Sequence, residues 1–253
     1  MTYRLSEMTT DDAAAAVARG TVVLLPVGAL EQHGPGLPLG TDQIRADALV
    51  ERVAAELPDA VVIGPPVPVG VSPHHTAFAG TVTLRPATFV AVLREYVDSL
   101  AHHGWRRFLV VTGHGGNNAA LGVLAQELMA DRPELELAWA PVTASAPGAV
   151  ADLDRAEVTG HSGEAETAQM LHVAPHLVRS DLLEPGTTTL DQLDPVPRLA
   201  RHAGPPTLAV TYDRLSANGV LGDPRTATAD AGRAIYDEAT QRLVSFLKEW
   251  RDA

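Results

Sequence analysis

The stretch from residue 21 to 42, TVVLLPVGALEQHGPGLPLGTD, constrains this chain more than any other. It opens with a continuous apolar run, Val22 to Val27, whose length and β-branched content predict a strand buried on both faces. The run breaks at Gly28 into a loop punctuated by Gly34, Pro35, Gly36, Pro38 and Gly40. That loop carries Glu31, His33 and Asp42. Two carboxylates and an imidazole just past a strand end suit a divalent cation, and strand ends are where open α/β sheets bind ligands. The rival reading of Asp42 is a plain N-cap for the helix that follows.

The rest of the chain repeats this alternation. Helices are expected over 8–19, 42–57, 87–103, 118–130 and 228–250, with another beginning over 163–172. Strands are expected over 60–69, 81–84, 108–112 and 135–141. Strand–helix repetition of this kind predicts an α/β fold: a three-layer α/β/α sandwich around a mostly parallel sheet. Residues 142–160 read as irregular, 183–206 as a long Pro/Gly/Thr-rich loop, and 210–222 as ambiguous. No domain boundary is visible, so residues 1–253 are expected to form a single domain.

Composition closes off several function classes. The formal net charge of -12 and the lack of a basic block argue against a nucleic-acid surface. With no cysteine, disulfides and thiolate zinc sites are impossible, and any metal must use His, Asp and Glu. No apolar run approaches the roughly 20 residues that span a bilayer. No signal-peptide pattern opens the chain, and a cytoplasmic location without membrane contact is expected.

Three further clusters carry possible chemistry. GHGGNN, 113–118, follows an apolar strand, and its glycines let His114 project from a tight turn at the same sheet edge as Glu31 and His33. Asn117 and Asn118 read as caps, more so Asn118, with Asn117 or the glycine-turn amides also able to stabilise an oxyanion. HSGEAET, 161–167, places His161 before a helix and Glu164 and Glu166 in its first turns. Two apart, the glutamates point in roughly opposite directions, and spacing leaves the choice open. SPHH, 72–75, offers Ser72 and His75 to a pocket, with His74 as readily solvated. His102 and His103 end a surface helix, and His172, His176 and His202 read as structural or surface residues.

Together, LPVGALEQHGPGLPLGTD, GHGGNN and HSGEAET, in this order, resemble the creatininase family of metal-dependent amidohydrolases from about residue 20 to 235. SPHHTAFAGTVTL and NGVLGDP look similar too. The resemblance implies an α/β/α subunit, often a homohexamer, holding two divalent ions of zinc, manganese or iron. It implies Glu31, His33, Asp42, His114 and Glu166 as ligands, with Asp42 bridging, and His161 handling protons or orienting substrate. Ser72, His75, Gly115 and Gly116 are expected to line the substrate site, beside Asn117. Two positions depart from creatininase itself. Gly116 stands where that enzyme has a metal-binding glutamate, and Glu157 stands where it has a tryptophan over the substrate ring.

The implied activity is hydrolysis of a C–N amide-type bond in a cyclic amide, a formamide or a short peptide by a metal-activated water. The peptide-trimming branch that matures mycofactocin is an alternative within the family. A metal-bearing assembly subunit without turnover, and a structural domain that binds no metal, are the alternatives outside it.

Overall fold

The computed structural model describes residues 3–201 and 205–253. His202 and part of the 183–206 segment therefore lie outside the described residues. In chain order the elements are α1 (Thr10–Ala18), β1 (Val22–Val27), α2 (Thr41–Glu56), β2 (Val61–Ile63), α3 (Pro86–His102) and β3 (Arg107–Thr112). They continue with α4 (Asn118–Asp131), β4 (Glu136–Pro141), α5 (Pro147–Ala151), α6 (Glu164–Val173), α7 (Pro195–Ala200) and α8 (Ala229–Asp252). A sheet of four parallel strands runs in the order β2-β1-β3-β4.

Alternate strand residues feed opposite faces, as the two-residue side-chain period requires. Val23, Leu25 and Phe108 pack with Phe89 and Leu93 of α3 and Leu121 and Leu124 of α4. Val22, Leu24 and Leu109 pack with Leu49 and Val53 of α2 and Ile235 and Leu243 of α8. Both faces being covered explains why the strands read as unbroken apolar runs rather than alternating ones.

The topology positions the site. The chain leaves β1 through α2 towards β2 on one side, and leaves β3 through α4 towards β4 on the other. The crevice between the ends of β1 and β3 is thus the switch point where such sheets bind ligands. Both strands end in glycine for lack of room. A Cβ on Gly28 would lie 2.5 Å from the backbone nitrogen of Gln43, and one on Gly113 would lie 2.0 Å from the carbonyl oxygen of Asp42. The first turn of α2 thereby seats directly on the two strand ends.

Several expectations are corrected. The 60–69 strand shrinks to Val61–Ile63, because Pro65 and Pro66 have no N–H to give a ladder. The chain rejoins β1 only at Val67, whose carbonyl accepts from Gly28. The 81–84 strand is a single antiparallel bridge, Leu30 to Val82. The 142–160 segment contains α5, and the 183–206 segment contains α7. Among the described residues no helix is long and apolar enough to cross a membrane.

Gly232 marks where α8 crosses α6, since a Cβ there would lie 1.9 Å from the carbonyl oxygen of Ala168. Gly232→Ala should cost at least about 2 kcal/mol of stability, because backbone cannot yield as a flexible side chain can. A lowered urea midpoint is the expected result; an unchanged midpoint would contradict this packing.

Candidate metal centre

Three loops converge at the switch point. Glu31 and His33 come from the β1–α2 loop, His114 from the turn after β3, and His161 and Glu166 from the start of α6. Asp42 sits in the first turn of α2. It is not the N-cap: Gly40 holds that position, and Asp42 turns inward, 1% exposed. His33 Nε2 lies 3.4 Å from Asp42 Oδ1 and 3.7 Å from Glu166 Oε2. His114 Nδ1 lies 3.2 Å from Glu31 Oε1 and 3.3 Å from Asp42 Oδ2. Asp42 thus faces two imidazoles with two different oxygens. His161 Nδ1 stands 3.7 Å from Glu31 and 3.9 Å from Glu166.

The far side of each ring decides what its near side offers. His33 Nδ1 donates to the Glu31 carbonyl (3.2 Å), His114 Nε2 to the Val71 carbonyl (3.1 Å), and His161 Nε2 to the Gln32 carbonyl (2.8 Å). A ring nitrogen that donates to a backbone carbonyl leaves the opposite nitrogen with a lone pair, and that is how metal-binding histidines are oriented. All three lone pairs aim at carboxylates. Glu31 Oε1 and Oε2, Asp42 Oδ2 and His33 Nε2 are buried with no hydrogen-bond partner. Orphaned acceptors converging at these distances fit a cation, and Glu31, His33 and Asp42 can offer donors within 4.8 Å of one another.

Charge leads to the same conclusion. Burial, then Asp42, push the Glu31 carboxyl up. Burial opposes the charge on Asp42, yet His33 and His114 hold its carboxyl well below the usual range. Burial opposes the charge on His33 as well, but Asp42, Glu166 and Glu31 lift it to about 9. His114 is raised against burial by Asp42 and Glu31. His161 goes the other way, down to about 3, through burial and the neighbouring His33. Without cations, then, protons on His33 and His114 balance the carboxylates, while His161 stays neutral.

Arg45, unnoticed in the sequence, ties the centre together. It is 1% exposed. Its Nη1 donates to Asp42 Oδ1 (3.2 Å), Glu166 Oε1 (2.6 Å) and the Gly113 carbonyl (3.1 Å), and its Nε donates to Gln169 (3.0 Å). Its charge offsets the effect of burial on Glu166, holding that carboxyl low. Ser162 sits in the left-handed region at φ 52°, a strained conformation for a non-glycine residue. It is held there because its N–H donates to Glu166 (2.7 Å) and its hydroxyl to the His33 carbonyl (2.5 Å). This turn sets His161 beside Glu166.

The two glutamates are separated by their partners. Glu166 faces the cluster. Glu164 turns away, accepting from Ala156 N, Thr159 Oγ1 and Asp223 N. Neither Asn117 nor Asn118 caps α4 through its side chain. The Asn117 amide is fully engaged, donating to the Gly28 carbonyl and Thr112 Oγ1 and accepting from Val71 N, so it has no hydrogen left for an oxyanion. Asn118 makes no capping bond and lines a cavity of about 550 Å³ beside the cluster, with Gly113, Gly115, Thr143, Arg155 and Glu166. Gly116 lines a different groove, between α3 and α4. It is glycine because a Cβ would lie 2.2 Å from His114 Nε2. Ser72 is buried behind His114, its Oγ 3.3 Å from Nε2.

His75 lies deeper than expected, its Nε2 3.4 Å from Glu31 Oε1. Gln32, overlooked between two conspicuous residues, controls it. Gln32 Oε1 accepts from Gly34 N (2.9 Å), while Nε2 donates to His75 Nδ1 (2.9 Å) and the Gly219 carbonyl (3.1 Å). His75 therefore carries its proton on Nε2, aimed at Glu31, the reverse of the other three rings. His74 is not simply solvated: it stacks on His114 at 5.5 Å and 15°. Tyr212, from the ambiguous 210–222 segment, packs 4.0 Å from the His75 ring and 5.0 Å from that of His161.

Gln32→Leu removes this control. Imidazole ¹⁵N spectra should show a fixed Nε2–H tautomer for His75 in the wild type and an averaged one in the variant, while His161, held by the Gln32 main-chain carbonyl, stays Nε2–H in both. The groups left unpaired should cost about 1–3 kcal/mol of stability. Identical spectra would contradict the assignment.

Comparison with known proteins places this geometry. A family profile described as creatinine amidohydrolase matches residues 6–247. The mycofactocin precursor peptide peptidase of Mycolicibacterium smegmatis is 36% identical over 235 residues, covering 91% of this chain and 85% of that one. The creatinine amidohydrolase of Pseudomonas putida is 27% identical over 270 residues, covering 97% and 96%. A solved structure described as creatininase Mn superposes with a TM-score of 0.80 at 26% identity over 98% of both chains. A profile spanning nearly the whole sequence, together with a relative above one-third identity, shows that this chain belongs to the creatininase family.

Proposed function

We propose that this protein hydrolyses an amide bond in a short peptide at a centre of two divalent ions. The observation that carries this reading is the convergence of imidazole lone pairs and orphaned carboxylate oxygens on either side of Asp42. Glu31, Asp42 and His114 would hold one ion, and His33, Asp42 and Glu166 the other. Their oxygen and nitrogen donors suit zinc, manganese or iron. When bound, the ions supply Lewis acidity to the substrate carbonyl and lower the pKa of the attacking water from about 15.7 towards 7.

The chain's own groups do the rest. His161, neutral and fixed by Gln32, takes a proton at Nδ1 as water attacks and hands it to the departing nitrogen, which otherwise leaves as a poor anion. Asn118, free to donate from the cavity wall, takes the oxyanion role that the sequence suggests for Asn117. Arg45 holds Asp42 and Glu166 in place. The peptide reading is supported by the identity to the peptidase and by two local departures from creatininase. Gly116 offers no carboxylate. Glu157 is exposed and accepts from Leu190 N (3.0 Å) rather than covering a substrate ring.

The whole chain is taken as one catalytic unit, because the matched profile runs nearly end to end. Cytoplasmic location and assembly to a homohexamer are carried with this reading. The half-exposed Val123 and exposed Met129 on α4 are compatible with a buried subunit contact.

Manganese- or zinc-loaded protein should hydrolyse short peptides and carry close to two ions per subunit. Asp42→Ala should drop metal content below one ion per subunit and lower kcat/KM at least about 100-fold, as expected when a shared ligand is lost. Retention of both ions and full turnover in the variant would refute the assignment. Stoichiometric metal with no turnover on peptides, formamides or cyclic amides would favour a non-catalytic assembly subunit.

A further inference from the structure

The cavity beside the centre is walled by small and apolar groups and two charged ones, Glu166 and Arg155. Glu166 is occupied by Arg45 and Ser162. Arg155 is exposed and makes no hydrogen bond or ion pair among the described residues, although the chain carries 31 acidic residues against 19 basic ones.

Its backbone is firmly held. The buried Glu164 carboxylate takes hydrogen bonds from Ala156 N (3.0 Å), the next residue, and from Thr159 and Asp223. Gly222, at φ 116°, packs so closely on that carboxylate that a Cβ would lie 2.5 Å from Oε2. Val158 N bonds to the Thr188 carbonyl (2.9 Å), and the Val158 side chain is buried among Leu193, Leu215 and Leu221. A buried carboxylate with three donors thus fixes the segment that brings a guanidinium to the cavity wall. A second guanidinium stands close by: Arg201 donates to the Thr159 carbonyl (2.6 Å), and Thr159 and Gly160 also line the cavity.

We propose that Arg155 binds the carboxylate of the substrate, with Arg201 reinforcing the positive rim. This rests on the peptide reading above and narrows it to short peptides with a free carboxylate. A guanidinium fork matches a carboxylate in two parallel hydrogen bonds. A fixed cation in the wall also gives the substrate's charged end a partner away from the metal centre, so that this carboxylate would not compete for the ions. A cavity of this size takes a ligand of a few residues.

Tetra-alanine as free acid, tetra-alanine amide and Ala-Ala-Ala-Asp amide are the probes. Their binding to metal-loaded wild type and Arg155→Gln is measured by calorimetry, alongside hydrolysis. Wild type should bind the free acid about 10- to 100-fold more tightly than the tetra-alanine amide, the usual scale for a charge-assisted pair. Arg155→Gln should reduce this preference to less than about 3-fold, through KM rather than kcat, and leave binding of the neutral amide unchanged. Tight binding of the Asp-bearing amide would place the recognised carboxylate on a side chain and still support the role. No preference in wild type for either carboxylate-bearing probe over tetra-alanine amide, or an undiminished one in Arg155→Gln, overturns it. Failure to hydrolyse any probe counts against the peptidase reading alone, because the binding ratio decides the role of Arg155 by itself.

Discussion

Two buried carboxylates, Glu31 and Asp42, with the partly exposed Glu166 beside them, form the constraint on which the rest of this structure depends. Burying a single ion costs several kcal/mol even after relaxation, and like charges in contact raise that further. Among the described residues, the one permanent cation paired with this group is the Arg45 guanidinium, which bridges Asp42 and Glu166. The remaining negative charge has to be met by mobile cations. In their absence protons on His33 and His114 serve, and those rings are oriented so that the same nitrogen accepts either a proton or a metal. A site built only for stability would gain by replacing such a cluster with apolar side chains. Its retention here marks a centre arranged for chemistry, in keeping with the hydrolases of the creatininase family.

The fold delivers these groups by simple means. Two neighbouring parallel strands end in glycine, and the absence of two side chains lets the start of α2 sit on their ends. That contact carries Asp42 into the crevice. Arg45, one turn further along α2, reaches the Gly113 carbonyl and Glu166 together, so it links the helix, the β3 turn and α6. Gln32 then sets the protons on two rings, that of His75 through its side-chain amide and that of His161 through its main-chain carbonyl. Geometry and protonation are thus fixed by the same short segments that supply the acidic and imidazole groups.

Much of this was legible in the sequence, for identifiable reasons. Apolar runs ending in glycine announce buried parallel strands, and their ends announce a site, which is how Glu31, His33, Asp42 and His114 stood out. The missing parts have physical explanations. Arg45 and Gln32 lie among residues of ordinary composition, and only the fold shows them buried. Glu164 and Glu166 cannot be told apart by spacing, since both favour a helix N-terminus. Asn117 and Asn118 differ by a single rotation about the helix axis, so which one faces the cavity depends on the preceding turn. The glycines of GHGGNN predict conformational freedom, yet Gly113 and Gly116 are there because the Asp42 backbone and the His114 ring leave no room for a Cβ.

The most direct test of the central claim is a proton count during metal loading. Calorimetric titration of zinc into metal-free protein, repeated at pH 7.5 in buffers of different ionisation enthalpy, gives the protons released per subunit. His33, raised to about 9, and His114, also raised, are protonated at that pH in the metal-free protein and must lose those protons to bind metal. The account predicts a release close to two protons per subunit, falling as the pH rises past 9. Metal binding without proton release would show that the cations enter elsewhere and would contradict it.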